Sequence, residues 1–171
     1  RIAIIDFDVH HGNGTEDCFA GDERVLMCSI FQHPFYPYSG TDKPAANMCN
    51  VPLAAGSGGE EFRDAVNQVW MPRLREFRPQ MIFVSAGFDG HYEDDMGGLK
   101  LLEKDYAWCT EEIMKIAAEF ADKRIVSMLG RRPSLRSSPP RGRTRDTHGR
   151  RFRGRRSRSA VRSQWSRRCS C

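Results

Sequence analysis

The sequence predicts a parallel α/β domain over residues 1–129, followed by a segment of different character at 130–171. Three observations carry that reading. Continuous apolar runs near residues 2–5, 24–30, 79–86 and 123–129 read as strands buried on both faces. Helix-periodic stretches separate the later runs, which is the alternation that builds a parallel sheet. The third observation is placement. Asp8 and His10 follow the first run and Asp89 follows a later one, and in such sheets the functional site lies beyond the carboxyl ends of the strands.

The opening run ends in Asp6-Phe-Asp8-Val-His10-His11-Gly-Asn13-Gly14. Asp6, Asp8 and His10 fall at spacing two, which in an extended chain puts them on one face. Carboxylates and an imidazole on one face suit half of a divalent-metal site. The same residues could instead cap the following helix and bond to backbone. Asp89, in the Gly-bracketed Gly87-Phe88-Asp89-Gly90-His91 at a second strand end, turns the balance toward a metal site.

In chain order, residues 15–20 predict a short helical turn, capped by Thr15 with Glu16 and Asp17 at its positive end. Residues 24–30 are the second strand. Residues 31–50 read as a long loop, broken at His33-Pro34, Tyr36-Pro37, Ser39-Gly40 and Lys43-Pro44. Loops of that length in compact domains are functional or disordered, and the aromatic residues Phe31, Phe35, Tyr36 and Tyr38 favour an ordered pocket wall. A short extended piece follows at 51–53. Residues 60–77 predict an amphipathic helix, with Phe62, Val66, Val69 and Trp70 on its apolar face and Pro72 set to kink or shorten it. After the strand at 79–86 comes a loop with an acidic cluster at Glu93, Asp94 and Asp95. A second long helix covers 103–121, and a last buried strand covers 123–129. His91 reads as a surface-loop histidine, while Trp70 and Trp108 read as core.

Charge is not evenly spread. Residues 1–130 hold 12 Lys plus Arg against 21 Asp plus Glu, a net −9, and residues 131–171 hold 15 Arg and one acid, a net +14. The basic balance therefore belongs to the tail and gives no reason to assign nucleic-acid binding to the domain. The tail has no apolar periodicity and cannot bury enough surface to offset its ordering entropy. It reads either as an arm for nucleic acid or another acidic partner, or as an out-of-frame sequence rich in Arg, Pro and Ser. The second reading is favoured, and nucleic acid is a partner only if the tail is genuine. No run of 18 apolar residues is present to span a membrane. Cys18, Cys28, Cys49 and Cys109 are scattered singly in apolar settings, as buried thiols of a reducing compartment, the cytoplasm. The chain begins inside a strand pattern without Met, which suggests a fragment.

Taken together, Asp6-Phe-Asp8-Val-His10-His11-Gly-Asn13-Gly14, Ser29-Ile30, the His33-Pro-Phe-Tyr36-Pro loop and Ser85-Ala-Gly-Phe-Asp89-Gly-His91 closely resemble the arginase-like family of histone deacetylases and acetylpolyamine amidohydrolases. The Asn of His-His-Gly-Asn-Gly is more similar to the class II and bacterial branch. The resemblance implies a three-layer parallel sheet with helices on both faces, here incomplete. It implies zinc-dependent hydrolysis of acetyl amides, on an acetylated lysine peptide or an acetylpolyamine. Asp8, His10 and Asp89 would be the zinc ligands. Asp6, Ser29 and Ile30 would hold a structural potassium ion, with backbone groups of Asp8 and His10, and Phe19, Asp22 and Val25 would line a second monovalent-ion site. Phe35, Tyr36 and Phe88 would wall the substrate channel. Asp6 and Asn13 would orient a tandem histidine pair, with His11 a support rather than a base. The family's own tandem pair would precede Arg1. Its transition-state tyrosine would follow the last strand, where this chain reads Gly130-Arg-Arg-Pro instead. The resemblance therefore implies an inactive piece of a deacetylase. The alternative is a non-catalytic metal-holding remnant with an Arg-rich anion-binding tail.

Overall fold

The opening apolar run forms β1 (Ile2–Asp6) at the centre of a five-stranded sheet. The structure is a computed structural model that describes residues 1–130, so the expected tail lies outside the described residues apart from Gly130. On one side β1 pairs in parallel with β2 (Val25–Gln32), and β2 with β3 (Met48–Leu53). On the other side it pairs with β4 (Met81–Ala86), which pairs with β5 (Ile125–Leu129). The order is β3-β2-β1-β4-β5, all parallel, which is the predicted fold class. All eight residues of β2 are buried, as expected of an inner strand covered on both faces.

This order reverses direction at β1, since the chain first steps outward to β2 and β3 and then returns to β4 on the far side. Right-handed crossovers therefore put α1 (Asn13–Phe19) on one face. They put α2 (Gly59–Ala65), α3 (Met71–Phe77) and α4 (Glu103–Phe120) on the other. The point of reversal, between the carboxyl ends of β1 and β4, is where open α/β sheets place their ligands.

Several local expectations are corrected. Residues 31–50 are not wholly loop: β2 runs on through Gln32, and β3 begins at Met48 rather than at Val51. Ladder pairing of Met48, Cys49 and Asn50 with Met27, Cys28 and Ser29 overrides the weak local signal. The first helix starts at Asn13 behind Gly12, with Thr15 inside it rather than capping it. The helix over 60–77 is interrupted just before Pro72, which sits in the first turn of α3. A wide π turn over Val66–Trp70 joins α2 to α3, and it contains Gln68, whose carbonyl Pro72 leaves without its helical donor. Cys18 is exposed, unlike the buried Cys28, Cys49 and Cys109. β5 is half-exposed rather than buried, with Val126, Met128 and Leu129 at 41%, 57% and 48% exposure.

The core lies between the sheet and the helix layer that holds Phe62, Trp70, Leu74, Tyr106, Ile113 and Ile116, all fully buried. Trp108 is only half-buried, and the Arg63 guanidinium stacks 5.3 Å from its ring centroid. Arg63 also donates to the buried Asp105 carboxylate at 2.8 Å, and Asp105 accepts from Leu102 N–H at the start of α4. Among the described residues Trp70 is the largest fully buried side chain. Trp70→Ala is expected to destabilise the full chain by about 3–5 kcal/mol, read from the midpoint of urea unfolding.

Candidate metal centre

β1 and β4 are in register, Asp6 facing Ser85, so the segments leaving their ends travel side by side. Asp8 and His10 come from the β1 end and Asp89 from the β4 end. One ligand atom from each of the three lies within 4.8 Å of the others, and all three residues are half-buried. His10 Nδ1 is 3.0 Å from Asp8 Oδ1 and 3.0 Å from Asp89 Oδ2. A neutral ring nitrogen carries at most one hydrogen, so it cannot donate fully to both carboxylates. Two carboxylates and one imidazole aimed at a common point form a donor set that suits a divalent cation.

Backbone groups aim the three ligands. Val9 N–H donates to Asp89 Oδ1 at 2.9 Å and ties the β4 end to the β1 end. His10 N–H donates to Asp8 Oδ1 at 2.9 Å, and Asp8 N–H donates to Asp6 Oδ1 at 3.0 Å. Burial works against the charge of Asp8, but hydrogen bonds from the His10 ring and N–H outweigh it and hold Asp8 below the usual carboxylate range. Gly87 lets the strands approach this closely. A Cβ there would lie 2.4 Å from Asp8 Oδ2 and 2.5 Å from Asp8 Cα.

Asp6 is buried, at 4% exposure. Burial pushes its carboxyl up to about 7, opposed by the Asp8 N–H and by a hydrogen bond from Ser85. Across the other register it faces Ser29, which is buried, as is Ile30. His11 is buried too. Its Nε2 lies 2.6 Å from Glu16 Oε2, its Nδ1 lies 3.5 Å from Ser29 Oγ, and its ring packs on Phe31. Asn50 Nδ2 donates to the same Glu16 oxygen at 2.8 Å and to Gly40 O at 2.9 Å. Gly40 has φ +92°, and any Cβ there would meet the His11 ring at 2.7 Å. Asn13 is exposed at the start of α1, its N–H donating to His11 O.

The aromatic residues divide into two groups. Phe35 packs against the His10 ring at 4.9 Å between centroids, and Tyr36 lies at 6.4 Å and is 66% exposed. Phe88, which the resemblance also places along the channel, is half-buried and packs against the buried Phe7 and Tyr106, at 5.9 and 5.1 Å. His91 is buried rather than a surface histidine, its Nδ1 accepting from Glu93 N–H.

Glu16 and Ser85 were not singled out by sequence reasoning as site residues. Glu16 read only as a charge at a helix N-terminus, and nothing local shows that His11 reaches it. Ser85 had a usable signal, a hydroxyl at the strand end that register sets beside Asp6.

A doubly wound parallel domain with a carboxylate–imidazole cluster at its point of reversal is an α/β domain of the ligand-binding kind, its site at the carboxyl edge of the central strands. Residues 1–130 match the histone deacetylase domain family. The chain is 40% identical over 142 residues to a type-2 histone deacetylase of Dictyostelium discoideum, covering 75% of this chain and 8% of that protein. It is 38% identical over 135 residues to a probable deacetylase of Archaeoglobus fulgidus, covering 75% of this chain and 38% of that one. The solved HDA15 HD domain superposes with a TM-score of 0.67 at 28% identity, covering 76% of this chain and 39% of that one. The chain thus spans well under half the length of these relatives. It belongs to the histone deacetylase domain family, a family of hydrolases. Among the described residues, no helix is long and apolar enough to cross a membrane.

Proposed function

We propose that Asp8, His10 and Asp89 hold a zinc ion, and that the domain serves hydrolysis of acetyl amides carried by a lysine peptide or a polyamine. The carrying observation is the convergence of the three ligand atoms within 4.8 Å at the point of strand reversal. Zinc bound there would polarise an amide carbonyl and lower the pKa of a bound water. The protein's part is orientation. The Val9 and His10 N–H groups each fix one oxygen of Asp89 and Asp8, so neither carboxylate swings freely. Phe35 and Tyr36 flank His10 and would line the apolar stem of an acyl-lysine or polyamine chain. Asp6, the Ser29 hydroxyl and the Ile30 carbonyl would hold a potassium ion, a reading supported by the burial of all three and by the Asp6–Ser29 register.

Both adjacent histidines of the site are engaged: His10 on the two carboxylates, His11 on Glu16 and Ser29. After Leu129 the sequence reads Gly130-Arg131-Arg132-Pro133, without the tyrosine that the resemblance places there. Loss of even one oxyanion donor costs about a hundred- to a thousandfold in rate. The full chain is therefore expected to take up about one zinc per molecule, yet to turn over an acetyl-lysine peptide and N-acetylputrescine no faster than Asp89→Ala does. Zinc quantification after dialysis and a deacetylation assay on both substrates test the two halves separately. Failure to bind zinc removes the site, and turnover far above the variant overturns the expected inactivity.

A further inference from the structure

Three backbone carbonyls at the corner between α1 and β2 converge on a single side-chain atom. Asn47 Nδ2 donates to Phe19 O at 2.8 Å, to Asp22 O at 3.1 Å and to Val25 O at 3.0 Å. Its other end is fixed as well, since Asn47 Oδ1 accepts Gly21 N–H at 2.8 Å. A reversed amide would set an oxygen against three oxygens and a nitrogen against an N–H, so the hydrogen-bond network admits one orientation. The Asn47 backbone is anchored too, its carbonyl accepting Met27 N–H at 3.0 Å just before the β3 ladder starts.

Three carbonyl oxygens aimed at one point are the donor set of a hard monovalent cation. These are also the three residues that the family resemblance assigns to a second such ion. The residues present do not fit that ion, because the amide nitrogen stands at the point of convergence and the two exclude each other.

We propose that the Asn47 carboxamide is a covalently tethered substitute for a monovalent cation, tying the α1–β2 corner to the entry of β3 without a metal. The amide brings two hydrogens to three acceptors, so at least one is shared, and its partial positive charge is weaker than an ion's. It compensates by being tethered: no ion has to be captured from solution, with the loss of translational freedom that entails. The link is also independent of salt composition.

Thallium(I), an anomalous scatterer that takes potassium sites, gives the test on crystals of the full chain. The expected result is no thallium among the Phe19, Asp22 and Val25 carbonyls in the wild type, and a peak there in Asn47→Ala. Thallium bonded to those carbonyls in the wild type overturns the proposal, and that measurement stands even if the variant does not fold. In solution, thermal unfolding in KCl against choline chloride gives a second readout. The potassium-dependent rise of the variant should exceed that of the wild type by about 2 °C or more, the scale of about 1 kcal/mol in a domain of this size. Equal rises overturn the proposal as well.

Discussion

Asp89→Ala is expected to remove zinc from the protein. Purified wild type dialysed against zinc and then against metal-free buffer should retain about one equivalent, while the variant retains less than about a tenth. Perturbing groups that only orient metal ligands already weakens binding about 10–100-fold, so losing a ligand outright should exceed the upper end of that range. Metal analysis of the two proteins reads the difference directly. Asp95→Ala is the matched control, because it removes an exposed carboxylate from the neighbouring acidic loop without touching the cluster. Equal zinc in wild type and Asp89→Ala would remove the ligand assignment. So would a loss in Asp95→Ala as large as that in Asp89→Ala.

Gly87→Ala is the second large effect, and it acts through backbone rather than through a ligand. The added methyl would meet Asp8 at 2.4–2.5 Å, and two of its three nearest atoms are Asp8 Cα and Cβ. A flexible side-chain tip could turn away, but the main chain at the end of a central strand cannot. Overpacking of this kind costs about 1–3 kcal/mol, occasionally more. The displaced group is a proposed metal ligand, so zinc affinity should fall along with stability. Urea unfolding and zinc titration should therefore move together in Gly87→Ala. In Asp89→Ala, by contrast, zinc should be lost with a smaller change in apo stability. Unchanged unfolding in Gly87→Ala would show that β1 and β4 have room that the structure does not.

The parts of this fold that were legible share one property: their signal is local and chemical. The runs at β1, β2 and β4 announce themselves by uninterrupted apolar residues, and Asp8, His10 and Asp89 are polar residues placed where such runs stop. What stayed hidden depends on partners far along the chain. Met48, Cys49 and Asn50 carry little strand propensity of their own and extend only because β2 offers a ladder. The π turn at Val66–Trp70 shares the apolar spacing of an ordinary helix, and only the bonding pattern separates them. His91 sits in a polar, Gly-flanked loop and still ends up buried. Asn47 lies in a stretch of no pattern, and its role appears only when Phe19, Asp22 and Val25 are brought round it.

The register of β1 against β4 ties the Asp8–His10–Asp89 cluster to the pairing of the two central strands. Sliding β1 by a single residue past β4 would shift the segment carrying Asp8 and His10 by about 3.3 Å relative to the one carrying Asp89. No partial version of the site survives such a slip, and no small side-chain adjustment repairs it. A molecule in which the two carboxylates and the imidazole meet has, by that fact alone, paired its two central strands correctly. The meeting of these three side chains therefore reports the pairing of β1 with β4, whatever chemistry is carried out over it.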